Sequence, residues 1–120
     1  MKKSWLSDKI RLLHIRQAIT YLESFLREKN KESLYEEPLL RFAVERQLEI
    51  IGEAANHLSN TIKAAFPEIE WKKVVAFRNF IVHEYFGVDL ELIWDILATK
   101  ISPLKQTIDL MLDYVENQLP

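Results

Sequence analysis

Residues 38–60, PLLRFAVERQLEIIGEAANHLSN, decide the fold. Leu39, Leu40, Phe42, Ala43, Leu48, Ile50, Ile51, Ala54, Ala55 and Leu58 recur at three- and four-residue steps between charges, the period of an amphipathic helix. Pro38 suits the first turn, where its missing N–H costs nothing, so the spacing predicts a long helix from Pro38 to about Asn60. Gly52 lies inside it. An interior glycine costs about 1 kcal/mol relative to alanine, so its presence predicts a neighbouring helix approaching closely there, a tolerated accident being the alternative.

Toward the N-terminus, Leu12, Leu13, Ile15, Ile19, Leu22, Phe25 and Leu26 give a second helical pattern from about Ser7 to Lys29, with Ser7 as N-cap and Asp8 in the first turn. Lys29 to Ser33 is polar and reads as a connection. Toward the C-terminus, Thr61 to Glu70 contains Pro67 and is expected to be partly irregular. Val74, Val75, Phe77, Phe80 and Ile81 then mark a helix from Trp71 to about His83, with Gly87 as its C-terminal cap. Asp89 is the expected N-cap of a last helix carrying Leu90, Ile93, Trp94, Leu97, Ile101, Leu104, Ile108, Leu112 and Val115. Pro103 should kink that helix or split it. Four such stripes are buried together in an all-α, up-and-down antiparallel bundle of four to five helices, a single domain over residues 1–120.

Composition narrows the function. Two Gly and four Pro are about half of average usage, too little turn chemistry for an all-β fold or a glycine-rich nucleotide loop. With 48% hydrophobic residues the chain lies outside the disordered regime. The absence of Cys removes disulfides, thiolate nucleophiles, thiolate zinc sites and iron–sulfur clusters. No apolar run approaches a membrane span, and the N-terminus reaches Asp8 before any apolar stretch, so neither a membrane anchor nor a signal peptide is expected and the reading is cytoplasmic. A net charge of −2 means that any nucleic-acid binding must rest on a local basic patch.

No metal or cofactor site is expected. The Glu-x-x-His pairs of di-iron bundles are missing, and Glu53 with His57, four residues apart, reads as a solvent-facing polar pair. His14 has no ligand-spaced companion. What remains is Arg78-Asn79-Phe80-Ile81-Val82-His83-Glu84-Tyr85-Phe86-Gly87, where Arg, Asn, His and Tyr crowd the end of a helix. On a regular helix Asn79 and His83 lie about 40° apart and can touch, whereas Arg78 and His83 are about 140° apart and do not converge. Either the helix is already unwinding at His83, or two copies meet across a two-fold axis so that both sets line one cleft. These residue types suit phosphodiester chemistry: histidine can move the proton of a ribose 2′-hydroxyl, and arginine can hold the phosphate and its transition-state charge. Asn79 could orient the imidazole or a phosphate oxygen. The same residues also form ordinary helix caps.

The run from Arg78 to Tyr85 resembles the R-x4-H-x-Y motif of the HEPN superfamily, and its continuation through Phe86-Gly87-Val88-Asp89 is similar to the HepT branch. Glu49 to Ala55, the approach from Phe66 to Trp71, and Trp94 resemble that branch too. The resemblance implies a homodimeric helical bundle acting as a metal-independent ribonuclease toxin, with Arg78 and His83 catalytic and Asn79 in the polar position beside the arginine. Tyr85 resembles the tyrosine to which a cognate MntA-like nucleotidyltransferase antitoxin adds AMP, a charge that would repel RNA from the cleft. The implied partners are RNA, a second copy of the chain and that antitoxin. Lys63, Lys72 and Lys73 could supply a local positive field or form a solvated helix face. The alternative function is a non-catalytic helical module that docks a nucleotidyltransferase.

Overall fold

A computed structural model describes residues 2–82 and 89–119, without the side chains of residues 2, 3 and 79–82. Among the described residues the chain forms α1 (Lys2–Phe25), α2 (Lys31–Glu36), α3 (Pro38–Asn56), α4 (Asn60–Ala65), α5 (Trp71–Val82), α6 (Leu90–Thr99) and α7 (Ile101–Gln118). The fold is an all-α helical bundle, and the four expected helical stretches are α1, α3, α5 and α6–α7. Their inner faces meet in one core, with Leu12, Ile15, Ile19, Leu48, Ile51, Ile93, Ile108 and Met111 all removed from solvent. Ion pairs fix the direction of packing: Lys9 meets Glu116, Arg16 meets Asp109 and Lys105 meets Glu23, so α1 and α7 run antiparallel.

Several expectations change in detail. Ser7 is not an N-cap, because α1 already begins at Lys2. The adjacent Asp8 is buried on the inner side of α1, where its carboxylate accepts hydrogen bonds from the Ser59 backbone N (2.8 Å) and Ser59 Oγ (2.6 Å). Ser59 Oγ in turn accepts from Ile62 N and caps α4. An acid that read as a local helix signal thus ties α1 to a helix far along the chain. The short helices α2 and α4 fall in stretches expected to be a connection and partly irregular. Each is pinned by one buried residue, Leu34 or Ile62, and α2 starts with a reciprocal Asn30–Ser33 capping box. Arg41 of α3 donates to the carbonyls of Leu34 and Tyr35, satisfying the open end of α2.

On α3 the inner stripe is Leu40, Val44, Leu48, Ile51, Ala54 and Ala55, whereas Leu39 and Phe42, expected within the apolar pattern, face solvent at 84% and 62% exposure. Leu13 of α1 is likewise exposed, as is His14. Asp89 caps α6 as expected, accepting from Leu92 N at 3.1 Å. The last helix does split, at Lys100. Pro103 has no N–H to offer Thr99, and its ring crowds that carbonyl, so the break falls just before the proline's own turn. No helix among the described residues is long and apolar enough to cross a membrane.

Candidate active site

The helix that carries Arg78 is anchored before it is aimed. Trp71, the first residue of α5, donates its indole N–H to the Phe66 carbonyl (3.1 Å), and Val74 and Phe77 are buried. The adjoining face of α5, with Val75 and Arg78, lies against α3. There Gly52 meets it: a Cβ at Gly52 would lie 2.6 Å from the Arg78 backbone N, 2.9 Å from the Arg78 Cβ and 3.1 Å from the Val75 carbonyl oxygen. The close approach expected at Gly52 is therefore real, and the neighbour is the turn of α5 that presents Arg78. Any side chain at position 52 would push against backbone, which cannot swing aside as a flexible side chain can.

The next residue of α3, Glu53, completes the contact. Its Oε2 lies 2.5 Å from Nε of Arg78 and its Oε1 lies 3.1 Å from Nε2 of His57. All three side chains are a little under half exposed. Glu53 and His57 thus form the solvent-facing pair read from their spacing, but that reading missed Arg78. The available signal was Gly52: a glycine that admits a neighbouring helix also brings that helix's side chains within reach of the glycine's own neighbour.

Of the other candidates, Asn79 follows Arg78 on α5 with its side chain outside the described residues, and His83, Tyr85 and Gly87 lie outside them altogether. Lys72, Ala76 and Asn79 stand at i, i+4 and i+7 and so share one face of α5, on which Lys72 and Ala76 are exposed. Lys73 is paired with Glu70 at 3.0 Å, which leaves Lys72 the better placed of the two lysines to meet an anion. A groove of about 670 Å³ between α5 and α6–α7, lined by Val74, Phe77, Leu92, Ile96 and Leu104, includes neither Arg78 nor Glu53. The Arg78 side chain is 43% exposed.

A helical bundle with an arginine fixed near the end of its third long helix, followed in sequence by Asn79, His83 and Tyr85, defines a protein of the HEPN class. The family model described as "Ribonuclease HepT-like" matches residues 15–111, and the chain belongs to that family. It is 39% identical over 99 residues to "Probable ribonuclease HepT" of Thermococcus cleftensis, covering 82% of this chain and 90% of that protein. It is 38% identical over 73 residues to "Putative RNase MJ1380" of Methanocaldococcus jannaschii, covering 61% of this chain and 67% of that one. A third relative, "Gamma-glutamylcyclotransferase and putative RNase MJ0434" of the same organism, is 35% identical over 100 residues; the match covers 83% of this chain but only 45% of that protein. No solved structure matches the chain.

Proposed function

We propose that this chain is a metal-independent ribonuclease and the toxin of a toxin–antitoxin pair. The observation that carries the reading is Arg78, whose guanidinium is held at the surface by the Gly52 close approach and the Glu53 carboxylate while the motif's histidine follows five residues later. In the reaction, His83 takes the proton of a ribose 2′-hydroxyl and the 2′-oxygen attacks the adjacent phosphorus. The bond from phosphorus to the 5′-oxygen breaks and that oxygen takes up a proton. The products are a 2′,3′-cyclic phosphate and a free 5′-hydroxyl. Arg78 holds the phosphate and stabilises the charge of its five-coordinate transition state, and Asn79 orients the imidazole or a phosphate oxygen. Lys72 extends the positive field along the same helix.

The active form is a homodimer. Support comes from the outward face of α3, where Leu39, Phe42, Arg46, Glu49 and Glu53 follow the alternating three- and four-residue spacing of a helix–helix seam. Leu39 and Phe42 are large and exposed, and Arg46 lies 3.3 Å from Glu49. A two-fold pairing centred between these two charges would set the arginine of each copy against the glutamate of the other and cover both apolar residues. In that antiparallel pairing Glu53 of each copy lies opposite Phe42 of the other, so the Glu53–Arg78 contacts of the two copies flank the seam at its two ends. Tyr85 is the residue that an MntA-like nucleotidyltransferase antitoxin modifies with AMP, which places negative charge where RNA must bind.

The test is cleavage of total RNA by the purified protein in EDTA. Expected are fragments ending in 2′,3′-cyclic phosphate, and loss of cleavage in His83→Ala with helical circular dichroism intact. Wild-type cleavage by that variant, or cleavage only after a divalent metal is added, contradicts the mechanism. For the switch, incubation with the antitoxin and ATP should add AMP masses that vanish in Tyr85→Phe.

A further inference from the structure

We infer that Glu53 is a positioning residue for Arg78, a role that rests on the ribonuclease reading above. A carboxylate beside a phosphate-binding arginine is at first sight counterproductive, since its charge repels the substrate. Stability does not account for it: both groups are close to half exposed, and an exposed ion pair contributes about 0–1 kcal/mol. Local charge balance on α3 does not require it either, because Arg46 and Glu49 already pair along that helix while Glu53 reaches across to α5.

Orientation does account for it. A guanidinium is a planar fork with five N–H donors. Contact through Nε occupies one of them and leaves the four on the two terminal nitrogens for another anion, while the plane of the fork is fixed by the carboxylate. The carboxylate is itself fixed, because its second oxygen lies against His57 Nε2 and its own backbone is brought to α5 by Gly52. Two anchor points on Glu53 thus remove the rotational freedom that a long exposed arginine would otherwise keep, and that freedom must be lost anyway for the arginine to meet the transition state.

The role predicts an unusual split. Glu53→Ala should lower kcat for RNA cleavage about tenfold or more while KM stays the same or falls, since a negative charge has left the phosphate's path. Glu53→Gln, which keeps the shape and an acceptor oxygen, should recover part of the kcat. In an Arg78→Lys background, whose ammonium has no Nε edge to grip, Glu53→Ala should have little further effect. Glu23→Ala, which loses only a half-exposed pair with Lys105 at the α1–α7 edge, should leave the kinetics at the wild-type level. If Arg78→Ala retains full activity, the ribonuclease reading fails. If Arg78→Ala is inactive but Glu53→Ala keeps wild-type kcat, only the positioning role is overturned. A rise in KM at unchanged kcat, or full additivity with Arg78→Lys, overturns it equally.

Discussion

Two seams of the bundle are built on opposite principles. Between α1 and α7, bulky aliphatic side chains such as Leu12, Ile15, Ile108 and Met111 fill the interior, and ion pairs from Lys9, Arg16 and Lys105 decorate the edge. Between α3 and α5, a glycine lets backbone meet backbone at Arg78 and the adjacent carboxylate grips that arginine. The first seam stabilises through area removed from water; the second fixes the position of a charged group that stays partly exposed. Substitutions should therefore cost mainly stability in one and mainly activity in the other.

The largest stability effect is expected in the aliphatic seam. Ile108→Ala should lower unfolding free energy by about 2–5 kcal/mol in urea titration, because a fully buried branched side chain leaves a cavity, while cleavage per folded molecule is retained. At the other seam, Gly52→Ala gains about 1 kcal/mol in helix propensity but forces a methyl group to within 2.6 Å of the Arg78 backbone N. The expected net loss is smaller, about 1–2 kcal/mol after the overpacking cost, yet RNA cleavage should fall at least tenfold as Arg78 is displaced. Equal stability and full activity in Gly52→Ala would erase the distinction between the seams. Arg16→Ala, which breaks a half-exposed ion pair with Asp109, should shift stability by less than about 1 kcal/mol and leave cleavage unchanged.

The smallest effect belongs to a third contact, where Tyr35 and Lys31 of α2 both donate to Glu91 in the first turn of α6. The hydrogen bond from Tyr35, then that from Lys31, holds the Glu91 carboxyl below its ordinary value of 4.5. A lowered carboxyl pKa contributes stability that is present above 4.5 and lost as the pH falls through the lowered value. Melting temperature measured down an acid series should accordingly drop slightly more in the wild type than in Glu91→Gln.

The aliphatic seam was legible in the sequence and the site seam only in part. Period alone located α1, α3, α5 and α6–α7, because burying an apolar stripe at helical spacing has few solutions. It did not distinguish Leu39 and Phe42, which share the spacing and yet face outward, since apolar residues at helical spacing read alike whether they face the core or solvent. The helices α2 and α4 escaped because each depends on one buried residue and a side-chain cap rather than on a stripe. Asp8 was read as a local signal when its partner is Ser59, a tertiary pairing that no local pattern encodes. At the site, Gly52 announced a close approach and the motif singled out Arg78, but that the two meet, and that Glu53 joins them, required the packing of α3 on α5.

If the α3–α5 contact fixes Arg78 for phosphodiester cleavage, the decisive comparison is the rate of RNA cleavage by Arg78→Ala and by the wild type, at matched helical circular dichroism and without added metal. Cleavage by the wild type and its loss in the variant are expected; equal rates would rule out a part for Arg78 in the reaction.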